Sequence, residues 1–270
     1  MQTATVITDE ISMDYFKFGN GAKNLVIIPG LSAESILNYA DAVSAAYASA
    51  TEDFTIYVID RRSNVPESYT VKDMARDTLV AIDALGLSEI YLFGASQGGM
   101  ISMEIAVARP ELVKKLILGS TSSCFDEEHY QATVGPWVQM AKEGRAEDLY
   151  LSFGEALYPK AVFEQAKGVL IESAKKITDK DLKKFIIIAE GIRGFDLTDS
   201  VSKITCPVLV LGANDDNVVG GQASHIIYDQ LAGRGDCEIY MYDGFGHAVY
   251  DLAPDYRERM LKFFLNPKNS

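Results

Sequence analysis

Cysteine is scarce in this chain of 270 residues: Cys124, Cys206 and Cys237 are the whole set. Three scattered thiols make neither a disulfide framework nor a four-thiolate zinc site, so a reducing compartment is the simplest expectation. Histidine is equally sparse, with three residues. With no His-Glu-x-x-His stretch and no His/Cys cluster, no metal is implied. Long hydrophobic runs are missing too. Nothing approaches the ~20 consecutive apolar residues of a membrane-crossing helix, and 185–189 is a short stretch of core type. Up to Asp14 the only charges are acidic, Asp9 and Glu10 among them. No secretory signal can be read there, and a cytoplasmic location is expected. Basic residues are in deficit, 25 against 38 acidic, for a net charge of −13. A field of that sign opposes a phosphate backbone, which removes nucleic acid from the expected partners.

What remains is ample for a buried core, since 48% of the residues are hydrophobic. Short, nearly continuous apolar runs at 25–29, 54–59, 90–93 and 116–118 read as strands. Helical spacing at 35–50, 71–85 and 98–109 alternates with them. Strands apolar on both faces belong in a parallel sheet covered by helices on either side. Upstream, 3–8 and Ser12–Phe18 are expected to pair as an antiparallel hairpin. From 122 to 200 the strand pattern disappears and helices are predicted over 126–142, 159–176 and 179–191. Pro159 suits a first helical turn, and Thr178 with Asp181 makes a capping box. The strand signal returns at 207–211 and 238–242, each followed by a helix, over 221–231 and 255–265. The expected architecture is therefore α/β: a mostly parallel sheet of about eight strands with helices on both faces. Residues 1–121 and 201–270 form its core, and 122–200 form an inserted helical cap. No repeat or low-complexity linker points to independent domains.

Gly94-Ala95-Ser96-Gln97-Gly98-Gly99 falls between a strand and a helix. A sharp strand-to-helix turn forces its serine into a strained conformation, and only small neighbours let strand and helix come that close. Ser96 would then project its hydroxyl from the turn, beside the free N–H groups of the following helix. A dinucleotide fingerprint needs glycine where Ser96 stands, and no Gly-Lys-Ser/Thr phosphate loop occurs anywhere.

A serine hydroxyl needs a neighbouring base, for which histidine has the right pKa range. His129 reads as part of a solvated helix face, and His225 falls inside a helical pattern. His247 lies in the glycine-flanked loop Asp243-Gly244-Phe245-Gly246-His247 beyond the last strand, where a base can reach the sheet's carboxyl edge. A carboxylate must hold the imidazole tautomer. Asp215 and Asp216, at the end of a strand, are both candidates, one as the acid and the other as a turn or cap residue.

The order Ser96, aspartate, His247, on a turn, a strand end and a late loop, resembles the α/β-hydrolase fold enzymes over nearly the whole chain. That resemblance implies Asp215 as the acid, three residues after Gly212, with Asp216 as the substitute. It places the oxyanion donors at the backbone of Gln97 and, from Pro29-Gly30-Leu31-Ser32, of Leu31, with Gly30 next. Pro29 stands where the family commonly has histidine. In Asp60-Arg61-Arg62-Ser63-Asn64 the family's glycines are missing, and the stretch reads as a structural turn with solvated arginines. Phe125, Tyr130, Trp137, Phe153 and Tyr158 supply aromatic surface enough to roof an apolar pocket. The resemblance implies a cofactor-independent serine hydrolase acting on a small or medium carboxylic ester, a small-molecule acyl substrate, through an acyl-enzyme. The same residues suit a thioester, lactone, amide or activated carbon–carbon bond, or peracid formation. From another class, the frame could serve as a non-catalytic ligand-binding module.

Overall fold

In the computed structural model, which describes residues 1–267, ten strands run in chain order. They are β1 (Gln2–Ile7), β2 (Ser12–Phe18), β3 (Lys23–Ile28), β4 (Phe54–Arg62), β5 (Ile90–Ala95), β6 (Val113–Gly119), β7 (Cys124–Phe125), β8 (Phe195–Asp196), β9 (Val208–Ala213) and β10 (Cys237–Tyr242). Eight of them form one sheet in the order β1-β2-β4-β3-β5-β6-β9-β10. β1 and β2 pair antiparallel, as does β2 with β4, and the remaining pairings are parallel. Strand pleating sorts the apolar runs onto the two faces. Val26, Ile28, Leu92, Leu116, Leu118, Val208 and Val210 belong to the core on one side, and Leu25, Ile27, Phe93, Ile117, Leu209 and Leu211 to the core on the other. A continuous apolar strand is therefore what a sheet covered on both faces requires.

The helices are α1 (Ala40–Ala46), α2 (Val71–Ala84), α3 (Gln97–Ala108), α4 (Glu127–Ala132), α5 (Val134–Lys142), α6 (Ala146–Leu157), α7 (Lys160–Ala174), α8 (Asp179–Glu190), α9 (Ala223–Leu231), α10 (Val249–Leu252) and α11 (Tyr256–Leu265). Thr70 with Asp73 and Thr178 with Asp181 close reciprocal capping boxes at the starts of α2 and α8. The expected helix over 35–50 is shorter, because 3-10 turns at Ile36–Tyr39 and Ala48–Ala50 flank α1.

Between β6 and β9 the structure departs from the sequence reading in three places. The helix expected over 126–142 is two, broken at Thr133 (φ −124°, ψ −75°). Pro136 forces the break, since it has no N–H to give the carbonyl four residues back and its ring crowds that carbonyl. In the first turn of α5 neither matters. α6 has no counterpart in the sequence reading; it buries Leu149, Tyr150 and Gly154. The segment also carries a ladder of its own, β7 against β8, joining its two ends. No helix among the described residues is long and apolar enough to cross a membrane.

Candidate active site

Ser96, Asp216 and His247, together with the loop after β3, all sit beyond the carboxyl ends of parallel strands, where an open α/β sheet forms its crevice. Ser96 joins β5 to α3 with φ 54° and ψ −124°, a region that side-chain-bearing residues rarely enter. Its neighbours hold it there. The Ser96 N–H donates to Gly119 O (2.8 Å), while Ser96 O accepts from the Gly99 N–H (2.8 Å) and from Thr121 Oγ1 (2.7 Å). A Cβ on Gly94 would stand 2.3 Å from Gly98 O, and one on Gly98 would stand 2.0 Å from Ile28 O. Both obstacles are main chain and cannot swing aside. Gly98→Ala is expected to cost about 3 kcal/mol of stability by overpacking. Thermal unfolding checks this, and a variant as stable as wild type would contradict it.

His247 is 2% exposed. Its Nδ1 lies 2.8 Å from Asp216 Oδ2 and 3.0 Å from Oδ1. An ionised carboxylate only accepts, so Nδ1 carries the proton and, in the neutral ring, Nε2 keeps its lone pair. Asp216 Oδ1 also accepts from the Val218 (2.8 Å) and Val219 (3.0 Å) N–H groups. Burial pushes the Asp216 pKa up, but the His247 ring and these donors outweigh it and hold the carboxyl below its ordinary value.

Asp215, the acid implied by the family resemblance, does not meet the ring. Its two oxygens instead accept from the Gly244 and Gly246 N–H groups, each at 3.1 Å. It fastens the loop that presents His247. The physical reason lies in the turn after β9, where Asp216 is turned inward and buried at 6% exposure while Asp215 stays at the surface. The far side of the same loop rests on α6, with the Ala248 N–H donating to Leu157 O at 3.0 Å.

The two arginines that end β4 are not solvated. Arg61 is 5% exposed, and its Nη2 donates to Pro29 O (2.7 Å) and to Gln97 Oε1 (3.0 Å). Burial lowers the Arg61 pKa from its usual value. Arg62 pairs with the buried Asp77 at 3.0 Å. The Gln97 side chain, fully buried, also donates from Nε2 to Ile188 O (2.9 Å) on α8. Arg61 thus ties the loop after β3 to the residue following Ser96, and Gln97 ties both to α8. Sequence reasoning treated Gln97 as a main-chain group and missed this linkage. The missing signal is tertiary, because residues 29, 61, 97 and 188 lie far apart in sequence.

Gly30, Leu31, Ser96, Gln97 and His247 all line one cavity of about 30 Å³, room for roughly a water or two. Phe125, Trp137 and Phe153 line it as well. Of the other aromatics in this segment, Tyr158 faces a second cavity, and Tyr130 is buried with the Arg193 guanidinium 5.5 Å over its ring. His129 is half-buried rather than on a fully solvated face. Its Nε2 lies 2.7 Å from Val218 O and its ring 4.6 Å from that of Phe125. Among the described residues, no group of three or more His, Cys, Asp or Glu side chains could hold a metal ion.

Residues 23–164 match the family model described as the alpha/beta hydrolase fold. A protein of Rhizobium rhizogenes (strain K84 / ATCC BAA-868) named "Putative carbamate hydrolase RutD" is 28% identical over 78% of this chain and 82% of its own. Among solved structures, MGS-M2, an alpha/beta hydrolase enzyme from a Medee basin deep-sea metagenome library, superposes with a TM-score of 0.86 at 18% identity, covering 99% of both chains. An esterase from Exiguobacterium antarcticum gives a TM-score of 0.82 at 19% identity, covering 98% of this chain and all of the other.

Proposed function

Since this chain belongs to the α/β hydrolase fold family, we propose that it is a cofactor-independent serine hydrolase that cleaves a carboxylic ester through an acyl-enzyme. The observation that carries the reading is one chamber shared by a serine on a strained turn and a histidine whose far nitrogen is held by a buried carboxylate. His247 Nε2 takes the proton from Ser96 Oγ as the hydroxyl attacks the carbonyl carbon. The imidazolium formed is stabilised by Asp216. The backbone N–H groups of Gln97 and Leu31 serve as the oxyanion donors, worth about 3 kcal/mol each. As the tetrahedral adduct collapses, the leaving alcohol takes the proton from Nε2. A water then repeats the sequence with His247 as base, and the acid departs. Residues 122–200 serve as a cap that keeps bulk water from the chamber.

Arg61 is a positioning residue in this scheme, since it sets the peptide plane at Pro29 and the side chain of Gln97. Arg61→Leu is expected to lower kcat about 10- to 100-fold with KM little changed, as loss of an aligned donor would. Arg61→Lys should restore part of that loss. Steady-state kinetics check this. A loss of stability with kcat intact would mean that Arg61 only supports the fold.

Incubation with a fluorophosphonate and with short nitrophenyl esters tests the function. Labelling and turnover are expected in wild type and in neither Ser96→Ala nor His247→Ala. Wild type inert to both reagents would favour a ligand-binding module. The name carried by the Rhizobium relative favours a second reading, in which the cleaved bond is a carbamate. Nitrophenyl N-alkylcarbamates and esters with the same leaving group separate the two, because the carbamate nitrogen weakens the carbonyl as an electrophile and only a site adapted to it turns carbamates over faster.

A further inference from the structure

A chamber of about 30 Å³ admits the reacting carbonyl and little else, so the body of any ester must lie elsewhere. A second cavity of about 550 Å³ opens beside it, within the size range of small-molecule sites. Gly30, Leu31, Phe153, Leu157 and Tyr250 line both, so the two meet at the loop after β3. The walls of the larger one come from α1, α6, the ends of β3 to β5 and the loop at 29–34, and they are mainly aliphatic and aromatic. Its described lining includes none of Ser96, Gln97 and His247.

From this arrangement we propose that the larger cavity receives the acyl chain of the substrate, and that the chain is uncharged and apolar. The leaving alcohol must take its proton from His247 and so departs on that side. The acyl chain extends from the other side of the carbonyl carbon, and the larger cavity borders the loop that carries Leu31 without reaching His247. Two of the charged groups in its wall already face partners within the protein, although the buried Arg257 Nε has no hydrogen-bond partner. Glu34 accepts from the Tyr39 hydroxyl. Arg257 lies 3.7 Å from Asp251 and 5.3 Å over the Tyr47 ring. A carboxylate or ammonium on the chain would give up its water against walls that are mainly aliphatic and aromatic. The inference rests on the hydrolase reading above.

The test is a series of nitrophenyl esters from acetate to hexanoate, with Ala46→Phe and Val43→Phe, two wall positions on α1 outside the catalytic machinery. In wild type, kcat/KM is expected to rise about fourfold per methylene, the equivalent of burying one CH₂. Each variant should keep acetate hydrolysis within about twofold and lose at least tenfold on hexanoate. Equal chain-length profiles in wild type and folded variants would overturn the proposal. So would an enzyme that cleaves acetate without any gain from added methylenes, and that result needs no variant. An enzyme inert to acetate and hexanoate alike would sink the hydrolase reading itself and this inference with it.

Discussion

Ser96→Ala is expected to lower kcat for nitrophenyl acetate by about a millionfold, with the fold intact. The size follows from how a nucleophile, its base and its acid work as a unit, where removal of the serine alone costs nearly as much as removal of all three. The expected residue of activity, about 10³- to 10⁴-fold over water, is what oxyanion donors and substrate positioning supply where the nucleophile of such a unit is removed. Alanine also leaves the Ser96 backbone contacts to Gly99 and Gly119 in place. It keeps, however, the positive φ of 54° that no β-carbon-bearing residue favours. Unfolding midpoint and kinetics should therefore separate, with the first nearly unchanged and the second collapsed. Activity within tenfold of wild type would remove Ser96 as the nucleophile.

Replacement of the two adjacent aspartates should give unequal results. Asp216→Asn is expected to lower kcat about 10⁴-fold, because an amide can offer the ring an N–H and so favour the tautomer in which Nε2 carries the proton and cannot act as base. Asp215→Asn should cost no more than about tenfold, since an amide oxygen can still take one of the Gly244 and Gly246 N–H groups and the loop is also fastened through Ala248. A reversal of this order would restore Asp215 as the acid. The Asp216 carboxyl has a depressed pKa in the fold, so its ionised form stabilises the native state. That contribution is fully present above the ordinary value of 3.8 and is lost as pH falls through the lower folded value. Wild-type stability should therefore decline across that window more steeply than that of Asp216→Asn, as acid unfolding followed by circular dichroism would report.

Much of this was legible in the residues because it depends on local chemistry. Glycines at 94 and 98 with Ser96 between them announce a turn that needs no Cβ on either side, and main-chain oxygens stand 2.3 and 2.0 Å from where such Cβ atoms would lie. Thr178 and Asp181 announce a capping box, and the box is present. The limits were also physical. The family resemblance implies Asp215 with Asp216 as the substitute, but which of two neighbouring carboxylates turns inward is decided by the path of the turn after β9. Arg61 looked like a surface charge because charged loops are usually solvated, and only the approach of 29 and 97 gave it buried acceptors. α6 went unseen, and with it the wall of the larger cavity.

The sequence by itself determined the alternation of elements, the two-faced burial of the sheet, the strained serine and the late histidine, since periodicity and backbone stereochemistry act over a few residues. Only the tertiary structure decided that Asp216 meets His247, that Arg61 joins two loops, and that the small chamber opens onto a large apolar one. Those facts are distances between segments remote along the chain, and no local preference encodes them.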